Sequence, residues 1–249
     1  MATASPEPTT RVLSVEDLPE SDRLVDGMRL DSIAEYVRRG EAMERAGLSD
    51  RSELIRGIVT MSPPPDVSDH GMPGSKLGML LALYESETPG VASSTESAVD
   101  LLEDDPSQVG PDLQLFILPE FGGQRTYRRK RLTGVPELIA EIANTSYLTD
   151  TTTKHDLYEA AGVQEYLIHA VRKQQFMVFR RSGDRLLAET LTDGVFRSTA
   201  FPGLHIDCDA LVAADLRRAR TTLEAGLATP QHAAFVTELA ACRDGQSLS

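Results

Sequence analysis

Residues 134–146, GVPELIAEIANTS, decide how this chain is read. Leu138, Ile139, Ala140 and Ile142 surround Glu141 in a short apolar run, the mark of a largely buried strand. An ionised carboxylate inside such a strand is costly unless it is paired or coordinates a metal. Residues 110–120, GPDLQLFILPE, repeat the problem one strand earlier, because Asp112 heads another apolar run. Beyond them, Lys154, Leu157, Tyr158 and Ala161 follow the helical i, i+3, i+4, i+7 spacing. The lysine therefore shares the apolar face of a helix over about residues 150 to 161, which stops at Gly162, and it should point toward the sheet.

Two strand carboxylates and one helical ammonium aimed at one core suggest a hydrolytic metal site. Asp112 and Glu141 supply hard oxygen ligands for Mg²⁺ (or Mn²⁺), which also keeps waters and accepts phosphate oxygens. Lys154 can stabilise charge that develops at phosphorus. Alone, a strand glutamate is more often solvated and a helical lysine more often snorkels, so the combination carries the inference. Glu53, which leads the apolar pair in SELIRG, is a fourth candidate that joins the metal shell or orients a ligand water. His70, in SDHGMPGS, either contacts a phosphate or simply ends a loop, and the bland reading is favoured. Other chemistries lack their motifs: GMPGSKLG does not have the phosphate-loop order, and no G-x-S-x-G, H-E-x-x-H or G-x-G-x-x-G occurs.

With 249 residues and 41% hydrophobic content, the chain can bury a full core as one α/β domain with added ends. Residues 1–26, rich in Pro, Thr, Ser and acids, predict a flexible arm; 27–210 form the main domain and 211–249 a C-terminal helical extension. No apolar run is long enough to cross a membrane, and the N-terminus lacks the basic and apolar regions of a signal peptide, so a cytoplasmic protein without a membrane partner is expected. Cys208 and Cys242 have no metal-ligand spacing. The net charge of −13 argues against binding nucleic acid through the whole surface, since phosphate affinity comes from Lys and Arg. Any such binding must be local, and RTYRRKR holds Arg125, Arg128, Arg129, Lys130 and Arg131 within seven residues.

Along the chain, Ser32 with Glu35 three residues on gives a capping-box start to a first helix. SELIRGIVTMSPPP reads as a strand pair or bent strand, and Leu77, Leu80, Leu81 and Tyr84 mark the apolar face of a helix. EYLIHAV, QFMVFRR, RLLAETL and VFRSTAF, separated by turn residues, read as an antiparallel meander. DALVAADLRRARTTLEAGL and TPQHAAFVTELAAC give two helices, the second opened by Thr229 and Pro230. The composite is an α/β chain of the α+β kind, a mixed sheet flanked by helices.

GPDLQLFILPEFGGQ, GVPELIAEIANTS, TKHDLYEAAGVQEYLI and FPGLHID, in this order and at these spacings, resemble the Uma2 family of restriction-endonuclease-like proteins, within the PD-(D/E)XK nuclease superfamily. The resemblance covers about residues 28 to 208 and is strongest from Pro111 to Ile168. It implies a restriction-endonuclease-like core and a metal-dependent endonuclease, with DNA the expected substrate and a 5′-phosphate product. Carried across, the family's Pro-Asp falls on Pro111 and Asp112, its strand glutamate on Glu141, its helical lysine on Lys154 and its N-terminal glutamate on Glu53; the main-chain carbonyl of Ile142 joins the metal ligands. The superfamily's E-x-K lysine would stand at 143, where this chain has Ala143, so the resemblance implies that the lysine has moved to the helix. Departures are NTS in place of the common SPS, Ser52 in place of a tyrosine, and a missing acid near His169. The helices after residue 210 lie beyond the resemblance and are expected to mediate self-association, as a homodimer, or to cover a sheet edge. The rival expectation is a catalytically inactive nuclease fold serving as a binding or assembly module, and a weaker third is a sugar- or nucleotide-phosphate hydrolase using the same site.

Overall fold

The structure, a computed structural model, describes residues 14–49, 51–62, 66–102, 104–128 and 131–246. The chain divides into two compact units, Met1–Pro63 with Glu103–Ser107, and Pro64–Leu102 with Gln108–Ser249. The main domain expected over residues 27–210 spans parts of both units.

In the first unit, helix α1 (Ile33–Arg45) opens where Ser32 accepts a hydrogen bond from the Glu35 amide at 3.2 Å. The Glu35 carboxylate itself turns to Arg39, at 2.6 Å, so only half of the expected capping box forms. Strands β1 (Ser52–Ile55) and β2 (Ile58–Met61) make an antiparallel hairpin with Glu53 opposite Thr60. Its two-residue turn puts both Arg56 (φ 50°) and Gly57 (φ 75°) in the left-handed region, as tight hairpins require. A Cβ on Gly57 would stand 2.9 Å from the Leu30 carbonyl, so glycine is needed there for space as well as for φ. Leu24, Leu30, Tyr36, Met43, Leu54 and Val59 form this unit's core.

Leu24 corrects the expected arm. It is buried to 1% exposure, and the preceding residues make two short 3-10 turns, with Arg23 donating to the Leu18 and Glu16 carbonyls. Residues 1–13 of the expected arm lie outside the described residues.

The second unit is built on a six-stranded sheet, counted over the described residues. In chain order its elements begin with α2 (Met72–Glu87), β3 (Val91–Thr95), and the short β4 (Val99–Leu102) and β5 (Ser107–Val109). Next come β6 (Leu113–Ile117), a hairpin of β7 (Thr126–Arg128) and β8 (Arg131–Thr133), and β9 (Leu138–Ala143). A helical crossover of α3 (Tyr147–Thr149), one wide π turn (Asp150–Lys154) and α4 (His155–Ala161) leads to β10 (Glu165–Ala170). Gly162, at φ 97°, ends α4 in the left-handed position read from the sequence. Strands β11 (Gln175–Ser182) and β12 (Arg185–Glu189) follow, and the sheet order is β12-β11-β10-β9-β6-β3, with β9 and β10 parallel and the other neighbours antiparallel. Leu138, Ala140 and Ile142 of β9 belong to the core cluster that includes Leu77, Leu80 and Leu81 of α2. Ile139 and Glu141, by strand alternation, face the opposite side, where α4 lies.

The meander stops one strand short. β13 (Val195–Arg197) pairs with β14 (His205–Asp207) rather than continuing from β12. The expected helix over DALVAADLRRARTTLEAGL is two helices, α5 (Cys208–Val212) and α6 (Leu216–Leu227), because Ala214 takes φ 57° and Asp215 caps α6 by accepting from the Arg218 amide at 3.0 Å. Helix α7 (Pro230–Gln246) starts at Pro230, with Thr229 accepting from the His232 amide. Ala219 and Leu223 of α6, with Phe235 and Leu239 of α7, belong to the same core cluster as the sheet. These helices thus contribute to the unit's own core.

Candidate active site

The antiparallel ladder between β6 and β9 has main-chain pairs up to Leu113 opposite Ala140. One position further, carboxylates continue it. The Ile142 amide donates to Asp112 Oδ2 at 2.6 Å, and the Asp112 amide donates to Glu141 Oε2 at 3.3 Å. Each acid binds the main chain of the opposite strand, which explains how a core strand can begin with a carboxylate: its charge is met by a peptide N–H that would otherwise lack a partner.

Glu141, only 2% exposed, receives two further donors from the crossover helix. Lys154 Nζ donates to Oε1 at 3.1 Å and the Tyr158 hydroxyl to the same oxygen at 2.7 Å. Lys154 and Tyr158 stand four residues apart, one turn along the helix, so both reach the same carboxylate. The π turn that ends at Lys154 is a form found often at functional sites, and Asp150 within it brings a second carboxylate to 4.0 Å from Nζ. Asp150 is itself buried, with its Oδ2 accepting from Ser146 at 2.6 Å and its carbonyl accepting from Tyr166 at 3.0 Å.

His70 enters from the other face. It lies on a wide turn (Val67–Gly71) that leads into α2, with Asp66 accepting from the Ser68 and Asp69 amides and Asp69 held by Arg172 at 3.0 Å. Its Nε2 is 3.3 Å from Asp112 Oδ1 and its Nδ1 is 3.2 Å from the Ile142 carbonyl oxygen. The hydrogen bond to Asp112 raises the imidazole above its ordinary value; partial burial opposes this, and the Asp112 charge and the Ile142 carbonyl add to the rise. For Asp112, burial alone would push the carboxyl up. The His70 and Ile142 hydrogen bonds and the charges of His70 and Lys154 outweigh it, so the carboxyl titrates below its ordinary value and stays ionised.

Asp112, Glu141, Lys154 and the Ile142 carbonyl, read from sequence and resemblance, therefore do come together, and His70 joins them instead of merely ending a loop. Tyr158 and Asp150 were missed as site residues; the i+4 and i−4 spacings from Lys154 were the available signals. Glu53 belongs to the first unit, half-buried on β1. Arg125 is a correction: it is 2% exposed, donates to Gln114 Oε1 at 2.8 Å and lies 4.5 Å from the Phe116 ring centroid, so it cannot serve as a surface contact for a phosphate backbone. Arg128 and Arg131 pair with each other in register on the β7–β8 hairpin, and Arg129 and Lys130 lie outside the described residues.

Among the described residues no three His, Cys, Asp or Glu side chains gather as a ready metal cluster. The donors present are two carboxylates and one main-chain carbonyl, an all-oxygen set, with Asp112 at 19% side-chain exposure and so within reach of solvent. That set fits Mg²⁺ or Mn²⁺, hard ions for which a few protein oxygens suffice because the rest of the shell is water. No described helix is long and apolar enough to cross a membrane.

A family model described as "Putative restriction endonuclease", that of the Uma2 family, matches residues 37–210. No match is found among the curated proteins. Among solved structures, the chain is similar in fold to a putative nuclease from Anabaena variabilis, with a TM-score of 0.53 and 16% identity over 73% of this chain and 98% of that one. The chain belongs to the Uma2 family.

Proposed function

From this membership and the charged cluster at the ends of β6 and β9, we propose that the protein is a metal-dependent endonuclease that hydrolyses nucleic-acid phosphodiester bonds, with DNA as its substrate. The observation that carries the reading is the clasp of Asp112 and Glu141 across the strand ends, with Lys154 and Tyr158 donating to Glu141 from the crossover helix. Asp112, Glu141 and the Ile142 carbonyl would hold Mg²⁺ or Mn²⁺. When bound, such an ion supplies positive charge to the phosphate oxygens and acidity to water at the reacting centre. Glu141 is held in place by the Asp112 amide, Lys154 and Tyr158, and Asp112 by the Ile142 amide. Lys154 stabilises negative charge on the phosphate as the leaving oxygen departs, and the low-dielectric surroundings of a 7%-exposed ammonium strengthen that effect.

Arg128, Arg129, Lys130 and Arg131 are proposed to contact the nucleic-acid backbone, which fits binding confined to one basic segment on a chain of net charge −13. Glu53 keeps, as a proposal, the role the family pattern implies, and Glu53→Ala measures it. The same net charge favours the rival, a non-catalytic nuclease fold that binds or assembles.

The test is cleavage of supercoiled plasmid and of single-stranded DNA with Mg²⁺ or Mn²⁺ by the wild type beside Lys154→Gln, with chelator as control. The expected outcome is metal-dependent cleavage by the wild type and none by the variant, whose Mn²⁺ binding stays within a few-fold. Loss of folding in Lys154→Gln would make the lysine a structural residue, and a folded wild type that cuts neither substrate would favour the rival.

A further inference from the structure

Of the chain's four lysines, Lys130 lies outside the described residues and Lys154 donates to Glu141. The other two flank the carboxyl ends of β9 and β10. Lys173 follows β10 by three residues, and its Nζ stands 3.6 Å from the centroid of the Tyr147 ring. The Tyr147 hydroxyl reaches Met177 Sδ at 3.6 Å, and Met177 pairs with Ile168, which is itself opposite Glu141. Residues paired across strands share a face, so Lys173 sits on the Glu141 side of the strand ends. Lys76 takes the other side. It belongs to α2, where a Cβ on Gly74 would stand 3.6 Å from Ile142 Cγ1. Its charge acts on His169, the partner of Ile142 on β10, which burial and that charge hold neutral down to about 4.

Both ammonium groups lack an acid. Among the described residues no carboxylate lies within ion-pair distance of Lys76 or Lys173, whereas Lys154 is taken by Glu141 and Arg172 by Asp69. Lys76 is half-buried, so part of its hydration is lost with no counter-charge in return. On a chain of net charge −13, two unmatched cations at one end of a sheet make a local seat for an anion. Two polar atoms on the α2 side are open as well. His169 Nδ1 and Asn144 Oδ1 are buried without a hydrogen-bond partner among the described residues, and Asn144, two residues past Ile142, shares its face.

We propose that Lys76 and Lys173 form a rim for the nucleic-acid strand: backbone phosphates rest on the two ammonium groups, one on each side of the sheet, where the strand crosses the ends of β9 and β10. This rests on the nucleic-acid reading of the same site. It supplies a contact that the root of the β7–β8 hairpin does not. The segment bearing that hairpin leaves β6 at Ile117 and enters β9 at Leu138, the ends of those strands away from Asp112 and Ile142. From Leu138 to Ile142 the strand alone covers about 13 Å. Lys173, by contrast, follows Ala170, which stands opposite Ala143, one residue past Ile142.

The experiment is fluorescence anisotropy of a labelled DNA duplex and a labelled single strand, with chelator present so that neither is cut, over about 50 to 200 mM salt. The full-length wild type is compared with Lys76→Gln, Lys173→Gln, Lys76→Arg and Lys173→Arg, each checked for folding by circular dichroism. Each Gln variant is expected to bind about tenfold more weakly, with the slope of log affinity against log salt shallower by about one, while the Arg variants stay within a few-fold. Folded Gln variants with wild-type affinity and slope would overturn the rim, as would equal losses in the Arg variants, which keep the charge. No binding of either probe by the wild type would sink the nucleic-acid reading and the rim with it. Lysine-dependent binding by a wild type that cuts neither substrate would uphold the rim and count against catalysis alone.

Discussion

Two neighbouring strands each bury a glutamate, and the fold uses them differently. Glu141 of β9 and Glu165 of β10 are 2% and 0% exposed. Glu165 is enclosed by donors from its own surroundings: the Thr199 amide at 2.7 Å, Arg180 at 2.7 Å, and the hydroxyls of Thr199 and Ser198. Arg180 is fixed in turn by Glu189 and the Arg197 carbonyl, so the cluster ties β10, β11, β12 and the segment after β13 into one network. Glu141 also has strong donors, and the clasp that holds it ends in Asp112 and His70; both clusters reach solvent at their outer members, Asp112 and His70 in one, Arg180 and Glu189 in the other. Their positions on the parallel pair differ as well. Glu165 is the first residue of β10, opposite Leu138, whereas Glu141 lies toward the carboxyl end of β9, opposite Ile168, the end at which α/β sheets commonly place their ligands. Burial alone therefore does not identify a functional carboxylate. What separates the two is their company: Glu165 meets an arginine, two hydroxyls and an amide, whereas Glu141 stands beside a second carboxylate, Asp112, with Lys154 and Tyr158 on its own oxygen and His70 on Asp112.

Glu165→Ala is expected to give the largest loss of stability, about 3–5 kcal/mol, since it leaves Arg180 and two hydroxyls without their shared acceptor. Urea unfolding measures it, and a loss under 1 kcal/mol would remove the structural half of the comparison. Tyr158→Phe removes one of the donors to Glu141 without opening a cavity. It is expected to slow cleavage about tenfold with little change in unfolding midpoint, the worth of one hydrogen bond to a charged group. A larger loss of stability than of rate would mean that Tyr158 serves the core alone.

The smallest expected effect concerns a second pair of neighbours, His70 and His169. Asp112 raises His70, whereas burial pushes His169 down to about 4 from 6.5. The unfolded chain protonates His169 as pH falls through 6.5, but the folded one resists until about 4, so its contribution to stability is full above 6.5 and is lost between those values. Thermal melts of His169→Phe, in which the Phe176 stack can persist, should fall less steeply than those of the wild type over that window. Parallel curves would show that His169 is not kept neutral by the fold.

The parts legible in the sequence were those set by local pattern. The apolar run around Glu141 marked β9, the spacing of Lys154 with Leu157 and Tyr158 marked the buried helix face, and Ser32, Gly162 and Pro230 marked helix ends. What escaped was the choice of distant partners. Arg125 reads as one of a basic run, but Gln114 and Phe116 on β6 draw it inside. Leu24 reads as part of a polar arm until the first unit's core supplies a place for it. β13 carries a strand pattern that cannot say which edge it will join, and β14 is its partner. His70 met Asp112 across 42 positions of sequence, a convergence that no local period encodes.

The most direct test of the central claim sets the two glutamates side by side: plasmid and single-stranded DNA cleavage with Mg²⁺ or Mn²⁺ by the wild type, Glu141→Ala and Glu165→Gln, each checked for folding by circular dichroism. The account predicts that Glu141→Ala stays folded and loses cleavage by about a thousandfold or more, while folded Glu165→Gln cuts within a few-fold of the wild type. Equal cleavage by Glu141→Ala and the wild type would contradict it.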